Sequence, residues 1–121
     1  MPPSQSPAAL LPLSRDALVI LLALGDQPRH GYGIMRDVEA RSQGEVILQT
    51  GALYRALKRL LAEGLIEECH APSEADSADA RRRYYRRTRF GAAVLDAEVE
   101  RMARLVRAAR RAAVGKRPRL A

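Results

Sequence analysis

From Thr50 through Ala62 the chain carries Arg55, Lys58 and Arg59 and no carboxylate. A generic solvated helix mixes signs, so a cationic stretch without acids is suited to a polyanion. The hydroxyls of Thr50 and Tyr54 can donate to phosphate oxygens, and Gly51 lets a backbone approach closely. Arg55 can pair with guanine O6 and N7 together, which makes it the candidate for reading a base. Lys58 and Arg59 suit phosphate contacts. A second cluster follows downstream, where Arg81, Arg82, Arg83, Arg86, Arg87 and Arg89 fall around Tyr84 and Tyr85. In an isolated pair of strands such charges repel by roughly a few tenths of a kcal/mol per facing pair, and a phosphate backbone relieves that repulsion. The acidic residues Glu74, Asp76 and Asp79 before the cluster offer a local neutralisation instead.

No other constellation carries chemistry. The sequence has no Gly-rich phosphate loop, no paired histidines and no Ser-His-Asp set at supporting spacing, so no enzymatic activity and no cofactor are expected. Asp26 and His30 flanking Pro28 come nearest to an acid–base pair, but His30 reads better as a residue that hydrogen-bonds at a helix start. The single cysteine, Cys69, excludes an intramolecular disulfide and reads as a small residue ending a strand; no metal site is expected. The longest apolar run, Ala17 to Leu24, is too short to span a bilayer, and the first residues lack the basic region of a signal peptide. A cytoplasmic protein with no membrane partner is expected. A chain of 121 residues allows one domain, and the net charge of +7 is regional, since 17 of the 21 basic residues follow residue 50.

The elements that must position these residues follow from periodicity. Residues 1–12, with Pro2, Pro3 and Pro7, read as a flexible arm. Ser14 caps a helix, apolar nearly all round, that runs to Gly25 and should be buried centrally. A second helix over Gly31 to Arg41 is expected to bury Tyr32, Ile34, Met35 and Val38 and to expose Arg36, Asp37 and Glu39. Glu45 to Leu48 is a β-prone segment. Thr50 then opens, as N-cap, a third helix whose Leu53, Leu57, Leu60 and Leu61 form one buried stripe, ending at Gly64. Strands over 65–68 and 82–87 flank a polar loop, and alternation requires at least one of Tyr84 and Tyr85 to face the core.

Thr88 caps a last helix that reaches about Val114. Its apolar positions Ala92, Leu95, Val99, Met102, Val106, Ala109 and Ala113 step by three and four, a seam suited to a second copy of the chain. Packing on its own domain is the alternative, but so long a seam outreaches a core of three short helices. The fold class is therefore mainly α with a small β-wing. A winged helix-turn-helix occupies residues 13–88, a dimerisation helix 89–114 and a basic tail 115–121.

Four stretches, His30 to Ile34 (HGYGI), Thr50 to Glu67 (TGALYRALKRLLAEGLIE), Arg81 to Gly91 (RRRYYRRTRFG) and the terminal helix, resemble the PadR family of bacterial transcriptional regulators in order and spacing. The resemblance covers about residues 14 to 112. It implies a homodimer joined through the last helix, binding double-stranded DNA at an operator and repressing a nearby gene. It also implies a small hydrophobic or aromatic effector held near the dimer interface. Carried over by position, Thr50, Gly51 and Tyr54 match the DNA-contacting helix start, Lys58 the groove-facing side, and Arg82 and Arg83 the wing. Three features depart from the family. Arg55 stands where proline is common, Arg87 replaces an apolar residue, and the single short last helix leaves little surface for a roomy effector pocket. An adaptor whose basic face docks an acidic protein, or a ligand sensor with secondary DNA binding, stays open beside this reading.

Overall fold

The computed structural model describes residues 6–116, with side chains to residue 113. The chain forms α1 (Arg15–Ala23), β1 (Arg29–His30), α2 (Gly31–Arg41), α3 (Thr50–Ala62), β2 (Ile66–Cys69), β3 (Tyr84–Arg87) and α4 (Arg89–Lys116). The three strands make one antiparallel sheet in the order β1-β3-β2, with Glu67 opposite Arg86 and His30 opposite Tyr84. Sequence periodicity misses β1, because two residues are too few to alternate. Conversely, residues 45–48 form no strand, although they are β-prone. Leu48 turns into the core while Ile47 faces outward, so the segment serves as the connection between α2 and α3.

The core joins Ile20, Leu21 and Leu24 of α1 to Ile34 and Val38 of α2, the Leu53, Leu57 and Leu60 stripe of α3, and Val94 and Leu95 of α4. Ser14 caps α1 as expected, its hydroxyl accepting the Ala17 N–H. The carbonyl end of α1 is closed by two arginines from elsewhere. Arg29 Nε donates to Ala23 O at 2.8 Å, and Arg87 Nη1 donates to Leu21 O at 3.4 Å. Cations at a helix C-terminus satisfy orphan carbonyls and complement the dipole. Arg29 also reaches Asp37 at 3.2 Å, so Asp37 is mostly covered rather than exposed.

The third helix ends in a Schellman turn. Gly64 takes φ +75°, its N–H meets Leu61 O, and the Leu65 N–H meets Leu60 O. From there the chain is tied directly to the start of α4. The Thr88 hydroxyl donates to Gly64 O at 2.7 Å and accepts the Gly91 N–H at 2.9 Å, so Thr88 caps α4 and grips the end of α3 together. Gly91 lies so close to this turn that a Cβ there would stand 2.0 Å from Leu65 O.

Residues 6–12 of the expected arm, with Leu13, lie against the fold. Pro7–Leu10 is a 3-10 helix packed on α4, and Leu10, Leu11 and Leu13 lean on the core. The buried Glu98 of α4 fixes this segment, its Oε2 accepting the Leu13 N–H at 2.8 Å while Arg101 pairs with Oε1. That Arg101 bond, with the Leu13 N–H, holds the Glu98 carboxyl below its usual range against the opposing effect of burial. Residues 1–5 of the expected arm, and residues 117–121 of the expected basic tail, lie outside the described residues.

Replacement of Gly91 by alanine drives a methyl into the Leu65 carbonyl and should cost about 3 kcal/mol, an overpacking effect. A urea midpoint unchanged from wild type would show that the junction yields freely.

Candidate nucleic-acid interface

The third helix divides as its leucine spacing requires. Leu53, Leu57 and Leu60 are buried, while Tyr54, Arg55, Lys58 and Arg59 are exposed along the other side. Among the described residues Arg55 and Lys58 have no carboxylate within ion-pair distance, and Arg59 reaches Glu63 only at 3.9 Å. Arg55 folds back toward the helix start, its Nη1 lying 3.2 Å from where a Gly51 Cβ would be.

Thr50 is not the N-cap. Gln49 holds the extended cap conformation and its carbonyl accepts the Leu53 N–H, so Thr50 is already the first helical residue. Gln49 gives no side-chain cap. The first amides of α3 are thus open to an external acceptor, and the Thr50 hydroxyl sits beside them. Tyr54 is 51% exposed, and its hydroxyl passes over Gly31, where a Cβ would stand 2.7 Å away. Gly31 therefore exists to let the tyrosine lie across the start of α2. Two glycines early in that helix lower its propensity; contact at this point explains one of them.

The start of α2 depends on His30. Its Nδ1 accepts the Gly33 N–H at 2.9 Å, the helix-start role expected from the sequence. The ring packs edge-on to Tyr84, with centroids 5.2 Å apart. Burial first and Arg82 second hold the imidazole below its ordinary value of 6.5, with Asp79 opposing. Tyr84 and Tyr85 are both buried, one on each face of β3. Tyr85 joins the core, whereas Tyr84 is covered on the outer face by His30 and by Pro72 and Ala75 of the wing loop. Alternation alone could not reveal the second burial, because the loop that covers Tyr84 has no periodicity.

The wing arginines are neutralised mainly across the sheet. Arg86 meets Glu67 at 2.8 Å, Arg83 meets Glu68 at 3.6 Å, and Arg82 meets Asp79 at 3.4 Å. Of the acidic loop, Asp79 takes part; Glu74 and Asp76 are engaged locally with Ser73 and the Asp79 N–H. Exposed pairs of this kind are worth about 0.2–1 kcal/mol each, so a phosphate can replace the carboxylate at small cost. Arg81 is exposed at the wing root, and Arg87 turns inward to α1.

Between the starts of α2 and α3 and the wing lies a cleft of about 480 Å³, walled by His30, Tyr32, Thr50, Tyr54, Arg82 and Arg83 among others. Tyr32 was expected in the core; it is instead 51% exposed, because α2 turns Ile34 and Val38 inward and leaves its start on the surface. No three His, Cys, Asp or Glu side chains among the described residues group as metal ligands, and burial pushes the Cys69 thiol up. No described helix is long and apolar enough to cross a membrane.

In α4 the expected seam splits. Leu95 is buried in the chain's own core and is not available to a partner, because the first turns of α4 cover α1. Val99, Met102 and Val106 are 49%, 38% and 47% exposed, and Ala109 is exposed with them.

Two helices joined by a short connection, the second anchored by leucines and cationic outside, with a β-ribbon beyond, define a winged helix-turn-helix of the DNA-binding class. The family model described as the transcriptional regulator PadR-like family matches residues 20–97. The chain belongs to that family of DNA-binding transcriptional regulators. Solved structures agree in fold. A PadR family transcription regulator from Clostridium difficile is 24% identical, with a TM-score of 0.68, over 81% of this chain and 97% of that one. A PadR-like regulator from Bacillus cereus is 22% identical, TM-score 0.68, over 83% and 92%. A transcriptional regulator from Clostridium thermocellum is 22% identical, TM-score 0.66, over 79% and 87%. The comparison with curated proteins found no match.

Because the folded pKa of His30 lies below 6.5, the unfolded chain binds its proton more readily. The contribution to stability is fully present above about pH 6.5 and is lost as pH falls through the lowered value, where protonation also removes the acceptor for Gly33. The melting temperature should fall more steeply between about pH 7 and 5 for wild type than for His30→Asn, which keeps a capping oxygen and does not titrate. Parallel curves would remove His30 as the cause.

Proposed function

We propose that the protein is a homodimeric repressor, without enzymatic activity, that binds a pseudo-palindromic site on double-stranded DNA. The observation that carries this reading is the two-sidedness of α3. One face is held rigidly by buried leucines, and the other offers Tyr54, Arg55 and Lys58 with no carboxylate among the described residues within ion-pair distance. In this reading α3 enters the major groove, Thr50, Gly51 and Tyr54 seat its start on the backbone, and Arg55 reads a base. Lys58, Arg59 and the wing residues Arg81, Arg82 and Arg83 hold flanking phosphates.

Dimerisation is supported by α4. Its 28 residues extend about 42 Å at 1.5 Å per residue, well past the core, and carry Val99, Met102 and Val106 on one uncovered line. Two copies paired there would place their α3 helices in successive major grooves, about 34 Å apart. Release by a small hydrophobic or aromatic effector is supported by a cavity of about 340 Å³. Leu10, Leu13, Ala17, Ala56 and Leu60 form its apolar wall, and the Arg59–Glu63 pair stands at its edge.

Selection of bound duplexes from a random pool, followed by titration at two salt concentrations, tests the reading. Arg55→Ala should cost about 1–3 kcal/mol on the selected site and relax its preference, whereas Lys58→Ala should weaken all duplexes alike and flatten the salt slope. Equal losses on selected and random duplex for both variants would remove the division of roles. Replacing Val99 and Met102 together by glutamate should give monomers in sedimentation; an unchanged mass would place the dimer contact elsewhere.

A further inference from the structure

The surface of α2 next to the wing carries positive charge that neither the groove-facing helix nor the core accounts for. The Tyr32 ring is flanked by two guanidinium groups. Arg36, one turn further along α2, and Arg82, from the wing, each lie 5.7 Å from its centroid. The His30 ring runs nearly parallel to it, with centroids 6.4 Å apart at 15°. Ring faces attract cations, so Tyr32 gathers both arginines, but it does not neutralise them. Arg82 keeps Asp79 at 3.4 Å, while Arg36 has no carboxylate within ion-pair distance among the described residues. The adjoining cleft has hydroxyls from the exposed Tyr32, Thr50 and Tyr54, with the buried Tyr85 beneath. It also has guanidinium groups from Arg82 and Arg83, the latter pairing with Glu68 at 3.6 Å; its lining residues include no carboxylate.

Donors from three separate elements converge here, and every one of them suits a tetrahedral anion. Three hydroxyls can each donate a hydrogen bond, and two arginines supply charge. The open amides at the start of α3 border the same cleft. Its position, between the helix proposed for the groove and the wing, is where one strand of a duplex must pass if both touch DNA at once.

We propose that a backbone phosphate of duplex DNA seats in this cleft, donated to by Tyr32, Thr50 and Tyr54 and paired with Arg82 and Arg83, and that Arg36 holds the neighbouring phosphate. This rests on the DNA-binding reading above and adds Tyr32 and Arg36 to it. Tyr32 acts twice, as a hydroxyl donor and as the platform that keeps the two arginines in place.

The test uses the full chain and a random-sequence duplex long enough for two half-sites, because phosphate contacts are independent of sequence. Tyr32→Ala should weaken binding about tenfold or more, and Tyr32→Phe, which keeps the platform, by a few-fold. Arg36→Gln should lower the salt slope by about one. Tyr32 is half exposed, so melting temperature should stay near wild type, and the phenylalanine variant retains the ring if alanine disturbs folding. A duplex with single neutral methylphosphonates should show a position that weakens wild type but not Tyr32→Ala. Wild-type affinity and slope in all three variants, with wild type itself binding, would overturn this inference alone. Failure of wild type to bind any duplex would overturn the DNA-binding reading and this inference with it.

Discussion

The junction between the end of α3 and the start of α4 sets the geometry of the whole molecule. The Leu65 carbonyl accepts the Thr88 N–H at 3.1 Å, and the Thr88 hydroxyl bridges Gly64 O to the Gly91 N–H. Gly91 closes the junction because no Cβ fits against Leu65 O. Backbone packed on backbone tolerates little movement, so the direction of α3 is fixed relative to α4. In a dimer built through α4, the separation of the two α3 helices follows from this contact. In such a dimer the spacing of the two α3 helices would be set by a few residues at this junction rather than by those on the cationic face.

Around that frame the arginines divide into distinct kinds. Arg29 and Arg87 are structural, spent on the last carbonyls of α1. Arg82, Arg83 and Arg86 are matched by carboxylates on or beside the sheet, which lets the wing fold without a polyanion. Arg55 and Lys58 are left over on α3, and Arg36 on α2. Among the described residues, charge without a carboxylate within ion-pair distance therefore lies on α2, α3 and the wing root, and also along α4 at Arg104, Arg107, Arg110 and Arg111. Composition reveals the excess, but only pairing shows where it is available.

Much of the fold was legible in residue order. The leucine spacing of α3, the caps at Ser14 and Thr88, and the glycine stop at residue 64 each follow from local rules that tertiary contacts reinforce. What escaped was set by contacts distant in sequence. The strand Arg29–His30 exists because β3 offers it an edge, and Tyr84 is buried because a loop without periodicity folds over it. Tyr32 is the instructive case. Its helical phase beside Ile34 and Met35 reads as core, yet the start of α2 projects beyond the core and turns the ring into surface. Gln49 displaced Thr50 as the cap for a related reason, since backbone conformation outranks side-chain preference at a helix start. Leu95, one member of a regular seam, is buried in the chain's own core, and the exposed line of that seam starts only at Val99.

The central claim is that the cationic side of α3, flanked by the start of α2 and the wing, is where duplex DNA lies. Amide chemical-shift mapping of the isotope-labelled protein on titration with duplex measures this directly. The largest changes should fall at residues 31–36, 50–59 and 81–86, while residues 99–109 of α4 should change little. Changes concentrated on α4, or spread evenly over the surface, would contradict that claim.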